Sequence, residues 1–265
     1  PSFFRSSSGR ISVTEIMAYK DPAEFNIPLV SIVIPAYNEE RRITATLDTV
    51  MSYFETQPYS WELIVVDDGS TDKTAILLAD RSERNDRFKV TSITHSGKGF
   101  AVKHGMLQAQ GRYRLMCDAD LAVSIEYLGK FLNTIHNKSD IIIASRQKAG
   151  ARRIREPVFR HLRGRLFNLA IRLLAIPTFS DTQCGFKCFE GKAAETLFAL
   201  QKTAGFVFDV EILYLARKLG YRIAEEPVDW YHQDDSTVRP LIDWFVMLTD
   251  VIMIRFRDLT GKYKV

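Results

Sequence analysis

Leu29-Val30-Ser31-Ile32-Val33-Ile34-Pro35 and Glu62-Leu63-Ile64-Val65-Val66-Asp67-Asp68-Gly69 are the two stretches whose reading decides the fold. Each is a short apolar, β-branched run, stopped by Pro in one case and by Asp-Asp-Gly in the other. That pattern predicts two buried strands ending in loops that can carry function. Between them Ile43, Leu47, Val50, Met51 and Phe54 recur at helical spacing over residues 39–54. Beyond them Ile76, Leu77 and Leu78 lie in a second helical stretch, residues 71–81, after the N-cap candidates Ser70, Thr71 and Asp72. The β-α-β-α order continues with a strand at 88–94, a helix at 99–110, a strand at 113–117, a helix at 125–135 and a strand at 140–145. Such alternation predicts an α/β fold: a mostly parallel central sheet flanked by helices, with ligands at the carboxyl ends of its strands.

The texture changes after Gly150. Arg152, Arg153, Arg155, Arg160, Arg163, Arg165 and Arg172 crowd a stretch that carries Val158, Phe159, Leu162, Leu166, Leu169 and Leu173 at three- to four-residue spacing. This reads as a basic amphipathic helix, open to two roles: a solvated surface, or a surface for anions and membranes. Residues 205–219 read as a further helix and 222–228 as an extended strand. The last helical stretch, 241–257, is apolar almost all round, with Asp243, Thr249, Asp250 and Arg257 in a narrow polar stripe. It rises only ~26 Å and contains charges, so a membrane span is not expected. Three roles stay open for it: a core helix, a dimer helix, or a helix in the membrane interface. In the last case Trp244 and Phe245 would sit at interfacial depth, with Arg255, Arg257, Lys262 and Lys264 on anionic headgroups.

Composition narrows the classes. With 46% hydrophobic and 26% charged residues in 265, the chain is neither disordered nor fibrous, and its length suits one or two domains. A formal net charge of +4 is too mild to argue for a nucleic-acid partner. Three cysteines, an odd number, speak against a disulfide framework and for a reducing compartment. Cys184 and Cys188 lack a second pair or a histidine couple, so buried thiols are expected rather than zinc. Residues 1–10 are polar and small apart from Phe3 and Phe4, and 1–26 reads as a disordered arm or vector remnant, with Met17 an alternative start.

The chemistry is expected where strands end. Asp118-Ala119-Asp120 follows the strand ending at Cys117, and hard oxygen ligands there suit Mg²⁺ or Mn²⁺ bridging a diphosphate. Solvated loop acids or helix N-caps explain the same pattern equally well. Asp67 and Asp68 can accept from a base imide or a ribose hydroxyl, although Asp-Gly-Ser is also ordinary turn chemistry. Gly97-Lys98-Gly99 offers backbone N–H groups and an ammonium to phosphate. No GxxxxGK[ST], GxGxxG, GxSxG or HExxH occurs, which argues against P-loop, nicotinamide, serine-hydrolase and zinc-protease chemistry. His95, His104, His136, His161 and His232 are scattered without metal-ligand spacing; His232, after Trp230-Tyr231, is open to a place at the mouth of the site but reads first as a structural imidazole.

Pro35-Ala36-Tyr37-Asn38-Glu39-Glu40, Val66-Asp67-Asp68-Gly69-Ser70-Thr71-Asp72, Gly97-Lys98-Gly99 and Asp118-Ala119-Asp120, in this order, resemble the GT-A family 2 inverting glycosyltransferases. Ser145-Arg146, Asp181-Thr182-Gln183-Cys184-Gly185-Phe186-Lys187, Phe206-Val207-Phe208-Asp209-Val210-Glu211 and the tail Ile254–Gly261 are similar to the polyprenyl-phosphate glycosyltransferase branch, the dolichyl-phosphate glucosyltransferase type included. The resemblance covers residues 28–262. It implies a GT-A catalytic domain over 27–235 and a C-terminal amphipathic helix within 236–265. It also implies a UDP-sugar donor, UDP-glucose first, and a polyisoprenyl phosphate acceptor reached from the cytoplasmic face by a peripheral, possible homodimeric, enzyme. Carried over residue by residue, Pro35, Ala36, Tyr37, Glu39, Asp67 and Asp68 would hold the nucleoside, with Gly97, Lys98 and Ala119 beside it. Asp118 would touch the ribose or the metal, Asp120 would ligate the metal, and Arg146 would approach the diphosphate or the acceptor phosphate. Ala122 departs from the pattern of mannosyl-type relatives, which place a Gln metal ligand there; this points away from mannose.

An acceptor phosphate with a second pKa of ~6 is largely dianionic at neutral pH and needs cations rather than a base. Arg152, Arg153, Arg155 and Lys187 are the candidates to collect it. A soluble or protein hydroxyl acceptor would instead need a carboxylate base, for which Asp181 or Asp209 is placed, each open equally to an N-cap or arginine-pairing role. A non-catalytic nucleotide-sugar binding protein is the third reading.

Overall fold

The computed structural model describes residues 27–155, 176, 178–232 and 242–264. Among these, seven strands form one sheet in the order β3-β2-β1-β4-β7-β5-β8. Its members are β1 (Val30–Ala36), β2 (Trp61–Asp67), β3 (Phe88–Ser92), β4 (Tyr113–Cys117), β5 (Ile141–Ser145), β7 (Phe186–Glu190) and β8 (Ile223–Pro227). All neighbours are parallel except β7, which runs antiparallel to both β4 and β5. A two-stranded parallel ribbon joins β6 (Arg152–Ile154) to β9 (Asp229–Tyr231).

Period-two alternation sends successive side chains to opposite faces of the sheet. Ile32, Ile34, Leu63 and Val65 meet one core layer, packed by α1 (Ile43–Glu55), α2 (Thr74–Ser82) and α4 (Tyr127–Lys138). Val33, Ile64 and Val66 meet the other, packed by α3 (Lys98–Gln108), α5 (Gly191–Leu200), α6 (Phe208–Lys218) and α7 (Ile242–Leu259). With helices on both faces, central strands must be apolar on both sides, and every residue of β1 and β2 is buried. Strand order reverses at β1, where β2 leads one way and β4 the other, so the crevice opens at the carboxyl ends of β1, β2 and β4.

Several expectations need correction. The first helix starts at Ile43 rather than residue 39, because the amides of Glu39 and Glu40 are pinned by Thr74 Oγ1 (2.8 Å) and Asp72 Oδ2 (3.1 Å). Arg152 and Arg153 belong to strand β6, not to an amphipathic helix, since they pair in register with Asp229 and Trp230. The remainder of that stretch, 156–175, lies outside the described residues, as do 1–26 and the side chains of Trp244 and Phe245. Strand β7 and helix α5 were not read from sequence. The helix is capped by Glu190, whose carboxylate accepts from Ala193 N–H. All three cysteines are buried and free, as expected.

Helix α7 buries Val251 and Ile254 and leaves Val246, Ile252, Met253, Phe256 and Leu259 exposed. No helix of the described residues is long and apolar enough to cross a membrane.

Candidate active site

Three strand ends supply the floor. Pro35 and Ala36 are buried at the end of β1, in register with Val66 and Asp67. The chain then turns at Asn38, whose φ of 55° is stabilised locally: its amide donates to Ser70 Oγ (2.9 Å) and its Oδ1 accepts from Thr71 N–H (2.8 Å). This crossbrace leaves Tyr37 37% exposed above the crevice, stacked on His95 with ring centroids 4.2 Å apart. His95 is a site residue that sequence reasoning set aside. Its position just beyond β3 was the available signal, because that too is a strand end.

Asp67 and Asp68 are each 2% exposed. Asp67 Oδ1 accepts from Ser70 N–H at 3.1 Å. Asp68 uses both oxygens on the loop before α3, accepting from Ser96 N–H (2.7 Å) and Gly97 N–H (2.9 Å), with His95 Nδ1 3.0 Å from Oδ2. Asp68 therefore shapes the loop instead of presenting a free carboxylate to a base. The expectation that Gly97 and Gly99 present amides to phosphate is also corrected, since Gly97 N–H goes to Asp68 and Gly99 N–H to Ala204 O (2.7 Å). Gly97 instead supplies backbone freedom: its φ of 98° is left-handed, and a Cβ there would meet Ala204 O at 2.7 Å. What this loop aims into the crevice is Lys98.

Lys98 Nζ stands 2.7 Å from Asp118 Oδ1. Burial pulls the Lys98 ammonium down, but Asp118, Asp209 and Asp120 outweigh it and hold it above its ordinary value. Asp118 follows β4, its amide donating to Gly185 O (3.0 Å). Gly185 is required here, because a Cβ would overlap the Asp118 carboxylate. The turn passes through Ala119, 4% exposed with its carbonyl accepting from Thr46 Oγ1 (2.5 Å), and through Leu121 at φ 46°. Asp120 Oδ1 accepts from Ala122 N–H at 3.0 Å.

Burial, and then the Asp118 charge, push the Asp120 carboxyl up. Glu39 is raised likewise by burial and by Asp120 and Asp118, against the pull of Arg42, 2.6 Å away. Asp118 Oδ1 and Glu39 Oε2 are buried and, ion pairs aside, accept no well-directed hydrogen bond. Clustered, mutually repelling carboxylates suit a hard divalent ion. No group of three His, Cys, Asp or Glu able to hold one stands among the described residues. Asp118 and Asp120 would thus ligate such an ion as a pair, with a bound diphosphate supplying further oxygens.

The far wall is built from ion pairs. Arg146 Nε and Nη2 grip Asp181 at 2.6 and 2.8 Å, Arg146 N–H adds 3.0 Å, and the guanidinium lies 5.6 Å from the Trp230 ring centre. Asp181 is completely buried; burial alone would raise it, yet Arg146 brings its carboxyl to about 2. Lys187, 1% exposed, donates to Asp209 Oδ1 and Cys184 O, both at 2.6 Å. Burial raises Asp209 despite Lys187 and Lys98. Lys187 sits in the interior rather than on an acceptor-facing surface, which corrects the expectation for it. Asp181 takes the arginine-pairing role left open for it, and Asp209 pairs with Lys187. Of the arginines, Arg152 is exposed and doubly paired with Asp229 at 2.9 Å, Arg153 Nε donates to Arg146 O (3.1 Å), and Arg155 is exposed at φ 62°. The ribbon carrying Arg152 and Arg153 reaches the turn after β4, because Tyr231 N–H donates to Ala122 O (2.8 Å).

Residues 31–198 match the family model described as Glycosyl transferase family 2. The dolichyl-phosphate beta-glucosyltransferase of Dictyostelium discoideum is 34% identical over 260 residues, 93% of this chain and 79% of that protein. The protein of the same name from Homo sapiens is 35% identical over 250 residues, 89% of this chain and 77% of its own. Among solved structures, glucosyl-3-phosphoglycerate synthase from Mycobacterium tuberculosis in complex with uridine-diphosphate aligns with a TM-score of 0.63 at 22% identity, over 99% of this chain and 87% of that one. The same enzyme in complex with Mn²⁺, uridine-diphosphate-glucose and phosphoglyceric acid gives 0.62 at 21%, over 99% and 86%. These structural likenesses bear out the GT-A architecture. Since the matched domain spans most of the strand ends just described, and relatives above 30% identity run along nearly the whole sequence, the chain belongs to glycosyl transferase family 2.

Proposed function

We propose that the chain transfers glucose, with inversion, from UDP-glucose to a polyisoprenyl phosphate of the dolichyl type. The observation that carries the reading is the half-buried Asp118 and Asp120 beside Lys98 at the end of β4, with the Tyr37 and His95 stack at the ends of β1 and β3. Tyr37 offers a face to the base, Asp67 an acceptor to the nucleoside, and Lys98 a cation to the diphosphate. Mg²⁺ or Mn²⁺, held by Asp118 and Asp120, would supply neutralisation of charge on the departing diphosphate. In-line attack then needs an acceptor oxygen already negative. The engagement of Asp181 by Arg146 and of Asp209 by Lys187 supports an acceptor that brings its own charge, in preference to a hydroxyl that needs a base. Arg153 on the ribbon and Arg155 just beyond it would collect that phosphate near the turn that carries Asp118 and Asp120.

The exposed apolar face of α7, with Arg255, Lys262 and Lys264 beside it, would lie on the cytoplasmic leaflet as a peripheral contact. Incubation with UDP-[¹⁴C]glucose, Mg²⁺ and a polyprenyl phosphate tests the reading. Label is expected in the organic phase; label only in a water-soluble product, or none with any sugar nucleotide, would reject it.

A further inference from the structure

Two residues apart on one helix, side chains project to nearly opposite sides. On the first turn of α6, Asp209 faces Lys187 while Glu211 meets a different set of partners. Glu211 is fully buried. Its Oε2 accepts from the amides of Lys202 (3.0 Å) and Thr203 (2.7 Å). Its Oε1 accepts from the hydroxyl of Tyr263, itself 3% exposed, and stands 3.5 Å from Arg257 Nη1. Arg257 Nη1 also donates to Thr203 Oγ1 at 3.0 Å. One carboxylate thus clamps the end of α7 and the tail behind it onto the 201–204 segment.

That segment braces the start of α3. Gly99 N–H donates to Ala204 O, and Gln201 Nε2 donates to Gly99 O and to Thr203 O, both at 2.8 Å. A Cβ on Gly99 would come within 2.7 Å of Thr203 O, so the two backbones are in contact. Between Gly97 and Gly99 sits Lys98, whose ammonium faces Asp118.

We infer that Glu211 is a positioning residue for the donor site: through 202–204 and the Gly97–Gly99 backbone it ties the C-terminal tail to the placement of Lys98 against Asp118. The inference rests on the reading of Asp118 as a ligand of the donor's metal. Its physical basis is that the central links, Glu211, Thr203, Gln201 and Tyr263, are buried polar groups bonded to other protein groups, so loosening one transmits to the next instead of being absorbed by water.

Full-length Tyr263→Phe keeps the ring and deletes one donor; Arg257→Gln is a second, independent variant. Amide hydrogen exchange over residues 97–104 is expected to quicken about tenfold in either, the loss of one hydrogen bond to a charged group, with β1 and β2 unchanged. Calorimetric titration of UDP in MnCl₂ is expected to show about fivefold weaker binding. Lys98→Met is expected to weaken it too, and adding Tyr263→Phe to Lys98→Met to cost nothing more. A role limited to stability would lower the melting temperature, quicken exchange throughout the molecule and give additive losses. Unchanged exchange at 97–104 in both variants, or additive losses, overturns the inference. Failure of the wild type to bind UDP with Mn²⁺ refutes the donor-site reading instead, and the exchange measurement still decides the coupling.

Discussion

Asp181→Asn takes the charge from a completely buried carboxylate that accepts from Arg146 three times and from Gln183 N–H at 3.2 Å. The wild-type carboxyl sits at about 2 against an ordinary 3.8, because the Arg146 guanidinium outweighs burial. That gap is worth about 2 kcal/mol of stability at neutral pH. Breaking a buried pair costs about 3–5 kcal/mol when one charge is stranded. Arg146 is 20% exposed and regains some hydration, and asparagine keeps one acceptor, so a loss of about 3 kcal/mol is expected. For a chain of this size the melting temperature should fall by about 6–12 °C. A folded value below the unfolded one means the contribution is complete above about pH 4 and vanishes as pH falls through about 2, with about half left near pH 3. Urea midpoints of wild type and variant, taken from pH 7 to 3 at constant ionic strength, should therefore converge in acid. A difference under about 0.5 kcal/mol at pH 7, or one that keeps its size down to pH 3, would refute the reasoning.

Asp120→Ala should remove Mn²⁺ binding by direct titration and reduce turnover by at least about a thousandfold, while the melting temperature holds or rises, since a raised carboxyl is relieved. Gly185→Ala forces a methyl into the Asp118 carboxylate, so activity should drop at least about tenfold with a far smaller change in urea midpoint. Lys187→Met strands Asp209 and should cost about 3–5 kcal/mol in urea unfolding, whereas Lys187→Met with Asp209→Leu should cost less. Ile252→Glu with Phe256→Glu should abolish sedimentation with anionic vesicles and leave UDP binding intact; a change of oligomeric state in place of vesicle binding would favour a dimer helix.

Legibility followed the range over which the physics acts. The strands before Pro35, Asp67 and Asp118 were readable because burial on both faces demands a local apolar run, and because Pro and Asp-Gly end such runs. Lys98 was readable between two glycines that open a helix and Tyr37 through the family resemblance of Pro35–Glu40, whereas Asp118 and Asp120 stand immediately after such a run. His95 had the same signal and was passed over among scattered histidines. Strand β7, Phe186–Glu190, places a lysine between apolar residues on a buried strand, and that lysine is paired only by a helix further along the chain. The arginines at 152 and 153 carried the charge of an amphipathic helix, and pairing with Asp229 and Trp230 made them a strand.

From the residues in order came the alternation of strands and helices and the parallel core, because periodicity and chain breaks are local. Which carboxylates are free to act was decided by tertiary structure: Arg146 meets Asp181 across 35 positions, and Glu211 meets Tyr263 across 52. A carboxylate's chemistry depends on the charge and water around it, and those neighbours are assembled only when distant segments pack.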